Sequence, residues 1–196
     1  GEALVSLPPS TLLLSSELLG HLSCGREVEA WFAADSVSFT SVEEKNYAQS
    51  AFTFVAYLLE ELSEWAGPFG PYIRDLKAHW NEAVVSRLPL FWSQALLSEL
   101  KGTLAAQHIE AGKHNVAREY DLLRRLCPAV AARQSLTDFQ SMWGLVHTRM
   151  LNYNGDPDSP PNAPWHRPQS AMLPIFDLVN HHLPEPELRL GSIEEV

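Results

Sequence analysis

Basic residues are scarce in this sequence. The 14 Lys and Arg are outnumbered by 24 Asp and Glu, a formal net charge of -10, and the cations are scattered along the chain. A phosphate backbone is gripped by clustered cations, so nucleic acid is excluded as a direct ligand. Cysteine is scarcer still: Cys24 and Cys127 are the two in 196 residues, with no CxxC or Cys/His spacing that would hold zinc. Such a pair is expected to be reduced thiols of a cytoplasmic or nuclear protein. No apolar run reaches the roughly 20 residues of a bilayer span, and nothing at the N-terminus reads as a signal peptide. A soluble protein without membrane contact is expected. The sequence also has no Gly-x-Ser-x-Gly elbow, which argues against a serine hydrolase.

What the chain does have is an ordinary globular composition, with 45% hydrophobic residues, enough for one good core or two small ones. Ser10, after Pro8-Pro9, can cap a short helical turn through Leu14 toward Leu19. Residues 22–40 fit loop or helix equally. From Ser41 the signal sharpens: Ser41-Val-Glu-Glu44 has capping-box spacing, and Phe52, Val55, Leu59 and Leu62 recur at helical steps. The pattern predicts an amphipathic core helix of about four to five turns ending at Gly67-Pro68. Residues 76–86 read as a partly helical loop. Ser93 and Gly102 bracket a further helix, and Val116, Tyr120, Leu123 and Leu126 mark another apolar face.

Thr137 is expected to cap the last clear helix, with Phe139, Trp143, Val146 and Met150 on one face. Arg149 falls outside that stripe, near Leu145 and Met142, and reads as a surface cation favoured by the helix C-terminus. Residues 152–170 are rich in Pro, Asn, Asp and Gly, carry the turn signal Asn154-Gly155, and predict a long exposed loop.

The stretch that organises the reading runs from Ala171 to His182. Ile175, Phe176, Leu178 and Val179 predict a buried strand, and Pro174 restricts it to an edge or marks its entry. The strand closes on Asp177, Asn180 and His181, polar groups that are costly to bury without partners. An amide that both donates and accepts, beside free backbone groups at a strand end, suits a zwitterionic or nucleoside-bearing ligand. A strand running out into a polar turn fits these residues equally well. His181-His182 with Asp177 is a weak metal set, because adjacent strand residues point to opposite faces. No metal is expected.

Leu173-Pro-Ile-Phe-Asp-Leu-Val-Asn-His181 resembles the Pro-x-x-Asp-x-x-Asn-His signature of SET-domain methyltransferases, in the subgroup typified by Rubisco large-subunit methyltransferase. Pro71-Tyr-Ile-Arg-Asp-Leu76 resembles a Pro-Tyr step of that subgroup. Pro89-Leu-Phe-Trp-Ser93 with Glu99-Leu-Lys-Gly-Thr103 resembles its helical insert. Leu136-Thr-Asp-Phe139 with Trp143-Gly-Leu-Val-His-Thr-Arg149 resembles the helix that returns to the SET core.

The resemblance implies an α+β fold: a split SET domain of small twisted sheets interrupted by a mostly α-helical insert. Residues 1–40 would be the N-terminal part of the core, 41–134 the insert, and 135–196 the C-terminal part. It implies S-adenosylmethionine as cofactor and methyl transfer to a lysine, or in one branch a histidine, of a protein substrate, by a monomer in cytoplasm, nucleus or plastid. Asn180 would hold the methionine moiety and His181 would present its backbone to the adenine. Leu178 and Val179 would supply wall. Arg149 would approach the cofactor carboxylate, Asp177 would lie beside Asn180 and His181 at the cofactor, and Arg149 with Asp177 would border the substrate channel. Tyr153 stands where the subgroup's type member has a second arginine, which leaves the substrate open. The family's Gly-rich segment would precede Gly1 and its channel tyrosine would follow Val196. The chain is therefore expected to be a fragment with no catalytic residue of its own, inactive by itself. The reading from another class is an inactive SET-like module that binds protein.

Overall fold

The structure, a computed structural model, describes residues 12–34, 39–64, 69–80, 82–153, 155, 158–163, 166 and 169–173. In chain order these form strand β1 (Leu13–Leu14), helices α1 (Ser15–His21), α2 (Gly25–Ala33), α3 (Val42–Glu64), α4 (Gly70–His79) and α5 (Glu82–Val85), and a 3-10 turn at Pro89–Phe91. Helices α6 (Gln94–Ser98), α7 (Leu104–Leu126), α8 (Pro128–Ala131) and α9 (Leu136–Arg149) follow, then strands β2 (Leu151–Tyr153) and β3 (Gln169–Met172). Helices dominate and the strands make one small antiparallel sheet, so the class is α+β. No helix among the described residues is long and apolar enough to cross a membrane.

Helix α3 is the axis of the core. Its 23 residues span about 34 Å. The Ser41 hydroxyl accepts from the Glu44 amide at 3.1 Å, but the Glu44 carboxylate turns back one residue further than a capping box requires, to the Thr40 amide at 2.7 Å and the Thr40 hydroxyl. The expected amphipathic stripe is too narrow. Residues 51–59 are buried without a break, Thr53 and Tyr57 included. A helix buried all round must be covered on every side, and α1, α2, α4, α8, α9 and β3 supply that cover.

The other caps follow the sequence in part. Ser93 accepts from the Leu96 amide at 3.4 Å, but α6 ends at Ser98 and turns carry the chain to Gly102, whose φ of 83° requires glycine. Thr103 starts α7 by accepting from the Ala106 amide at 3.2 Å. The cap of α9 is Ser135, two residues before the expected Thr137. Its hydroxyl accepts from the Asp138 amide at 3.1 Å, and Asp138 accepts from the Ser135 amide at 3.0 Å. The ambiguous residues 22–40 hold α2, whose Val28 and Phe32 are buried.

The sheet order is β1-β3-β2. Leu13 pairs with Met172 and Leu14 with Ala171, while Leu151 pairs with Ala171 and Tyr153 with Gln169. Alternation assigns each face a different job. Leu13 and Met172 join the main helical core. Leu12, Leu14, Ala171 and Leu173 form a second small core with Leu151 and Tyr153. Strand β3, Gln169–Met172, is the central strand of this sheet, whereas the strand expected at Ile175, Phe176, Leu178 and Val179, with Pro174, lies outside the described residues. The expected exposed loop at 152–170 is narrower than predicted, because Asn152, Tyr153, Gln169 and Ser170 belong to the sheet. Gly155, with φ 81°, fits the predicted turn.

The expectation of free thiols is also corrected. Cys24, in the turn between α1 and α2, and Cys127, at the corner between α7 and α8, form a disulfide across 103 residues with Cα atoms 5.3 Å apart. A sequence separation this large carries no signal of proximity. The N-terminal segment with Ser10, and residues 65–68 with Gly67-Pro68, lie outside the described residues.

Candidate functional site

Of the site residues expected from sequence, Asp177, Leu178, Val179, Asn180 and His181 lie outside the described residues, as does His182. Arg149 is described. It is the last residue of α9, and Met150 turns the chain from helix into β2 with φ -72° and ψ 131°. Two residues later Leu151 pairs with Ala171 of β3. The arginine therefore stands at the helix-to-sheet junction, two residues before β2, the strand that pairs with β3.

Arg149 is not the surface cation expected. Phe139, Met142, Leu145 and Val146 are the buried positions of α9, whereas Trp143 is half-buried. The apolar face is rotated toward Met142 and Leu145, so Arg149, at helical spacing from both, lies on the inward side. It is half-buried, with its Nε out of contact with solvent. Tyr153 packs its ring into the second small core, which is a structural role for the position the resemblance assigned to an arginine.

The structure also assembles a polar cluster that sequence reasoning did not find. Tyr47 of α3 places its hydroxyl 3.0 Å from His147 Nδ1. The His147 ring stacks on Trp143 with centroids 3.7 Å apart. The Trp143 indole N–H donates to Glu119 of α7 at 3.0 Å. Three helices meet through these four side chains. His147 Nε2 is buried and has no hydrogen-bond partner among the described residues.

Burial sets the ionisation of the cluster. Loss of hydration pushes the Glu119 carboxyl up to about 7, against the opposing pull of the Trp143 hydrogen bond and the Arg118 guanidinium. The same loss pushes the His147 imidazole down to about 4. Burial, and then the nearby Glu119 carboxylate, raise the Tyr47 phenol. Both His147 and Tyr47 are therefore neutral at neutral pH. Trp143 and His147 stand one helical turn apart, which a sequence reading can notice. Nothing in the sequence joins them to Tyr47 or Glu119.

His147 precedes Arg149 by two residues, about 200° around the helix. The cluster and the arginine thus occupy different faces of α9, and the cluster serves the α3–α7–α9 junction. A cleft of about 280 Å³ on the helical side is lined by Leu90, Phe91, Trp92, Lys113, Val116 and Gln140. Lys113 Nζ donates to the Trp92 carbonyl there at 3.3 Å. Arg149 does not line it. No group of three or more His, Cys, Asp or Glu side chains suited to a metal occurs among the described residues. Comparison with protein families, curated proteins and solved structures finds no match to the chain.

Proposed function

We propose that the chain is part of an S-adenosylmethionine-dependent protein methyltransferase of the SET type, acting on a lysine or histidine side chain of a protein substrate. The observation that carries this reading is the pairing of β3 with both β1 and β2. A split domain needs segments from the two ends of the chain to rejoin in one sheet after a helical insert, and β1 and β3 are separated by all nine helices described here. Half-buried Arg149 at the helix-to-sheet junction fits a cation that pairs with a ligand carboxylate in the resulting pocket.

In this reading Asn180 holds the methionine moiety and His181 offers backbone groups to the adenine. Leu178 and Val179 wall the pocket, and Arg149 and Asp177 border the substrate channel. Methyl transfer from a sulfonium to a neutral amine needs alignment and fixed dipoles rather than a covalent intermediate. An intracellular setting belongs to the proposal too; with Cys24 and Cys127 bridged, it rests on the family resemblance alone.

The test is transfer of a radiolabelled methyl group from S-adenosylmethionine to a mixture of basic proteins, by the protein carrying its flanking coding sequence. Label on lysine or histidine, reduced at least tenfold by Asn180→Ala, supports the reading. Incorporation equal in wild type and variant, or none in either, counts against it.

A further inference from the structure

We propose that the Cys24–Cys127 bridge is a reversible staple that fastens the α1–α2 pair to the α7–α8 corner and opens by thiol–disulfide exchange with a dithiol. The argument starts from placement. Helices α1 and α2 take their main packing from each other and from α3, while α8 and α9 reach α3 from elsewhere in the chain. The bridge therefore joins two groups of helices across the central one. Strand β1 runs directly into α1, so the staple also fixes the β1 end of the sheet relative to the helical block.

The closed loop is long. Cross-linking residues 103 apart removes much chain entropy from the unfolded state, and the effect grows with loop length. Both cysteines are buried, Cys24 by the smaller margin. Cys127 is 1% exposed, whereas Cys24 is 6% exposed and follows exposed Ser23 in a short turn. An incoming thiolate therefore meets the Cys24 sulfur first, once that turn opens.

Exchange then balances as follows. The reductant thiolate bonds to Cys24 Sγ, the S–S bond breaks, and its electron pair leaves with Cys127 Sγ, which takes a proton. The second thiol of the reductant attacks the mixed disulfide, releases Cys24 as a thiol and leaves the reductant as a cyclic disulfide. Two electrons pass from dithiol to protein.

The experiment equilibrates the folded protein with graded ratios of reduced to oxidised dithiothreitol. Free thiols are trapped with a maleimide under denaturing conditions and counted by intact mass, with Tm read on the same samples. The expected result is species with no label or two, interconverting with the ratio, and a Tm about 10 °C lower in the reduced form. Cys24→Ser and Cys127→Ser should each match the reduced wild type and ignore the reductant. Two labelled thiols persisting in excess oxidised dithiothreitol would overturn the bridge. A Tm that does not follow the thiol count would overturn the staple. A bridge that excess dithiothreitol leaves closed below the unfolding temperature would overturn its reversibility.

Discussion

Trp143 donates its indole N–H to Glu119 at 3.0 Å, and so ties the middle of α9 to α7 while the other face of the same indole carries His147. The pair matters because the two ionisable groups on either side of Trp143 are displaced in opposite directions.

Glu119 is raised from its ordinary 4.5 to about 7. Between those values the folded protein keeps a proton that the unfolded chain has lost, so this group's contribution to stability falls as pH rises through the window. His147 is lowered from 6.5 to about 4. There the unfolded chain holds the extra proton, and stability rises with pH across that window. The two slopes oppose each other between about pH 4.5 and 6.5. Glu119→Gln should therefore make the slope of Tm against pH more positive than in wild type from about pH 4.5 to 7. His147→Phe should make Tm fall relative to wild type as pH rises from about 4 to 6.5. Melting curves in matched buffers check both, and parallel profiles for all three proteins would show that the cluster is not buried as described.

Two glycines should respond in opposite ways to alanine. A Cβ on Gly20, in α1, meets nothing within 4 Å, so Gly20→Ala should stabilise by up to about 1 kcal/mol through helix propensity. A Cβ on Gly25 would overlap the Leu19 carbonyl oxygen. Backbone cannot move aside as a side-chain end can, so Gly25→Ala should be among the more damaging single changes, lowering the denaturation midpoint by the equivalent of about 2 kcal/mol or more. Urea denaturation of both variants distinguishes the cases.

Ser135→Ala removes the Asp138 capping box at the start of α9 and should cost about 1 kcal/mol. The Ser135 hydroxyl is the main cause that holds the Asp138 carboxyl below its ordinary 3.8. A depressed carboxyl contributes stability above its unfolded value and loses it as pH falls below about 3.8. The variant should therefore be less sensitive than wild type to acid in that range, which melts between pH 2.5 and 5 would reveal.

The start of α3 was legible because Ser41 and Glu44 and the apolar steps after them are local signals. Its burial on every side was not, since that depends on what folds around it. Trp143 and Met150 are poor markers of the buried face of α9: large apolar residues suggest burial, yet Met142, Gly144 and Leu145 turn inward instead. Gly144 is inward because its missing Cβ leaves room for Phe91 and Leu88, a contact set by the 3-10 turn at Pro89–Phe91. The central position of β3 at Gln169–Met172 depends on β1, far away in the chain, and no local pattern there encodes it. The bridge between Cys24 and Cys127 and the approach of Tyr47 and Glu119 to α9 are long-range meetings that no local pattern encodes.

The most direct test of the methyltransferase reading is the melting temperature of the protein as its gene encodes it, measured with and without S-adenosylmethionine. A ligand bound by the native state alone, at about a hundred times its Kd, adds about 2.7 kcal/mol. The account predicts a rise in Tm of about 5 °C or more, abolished by Asn180→Ala and reduced by Arg149→Ala. An unchanged Tm for the wild type at millimolar S-adenosylmethionine would contradict it.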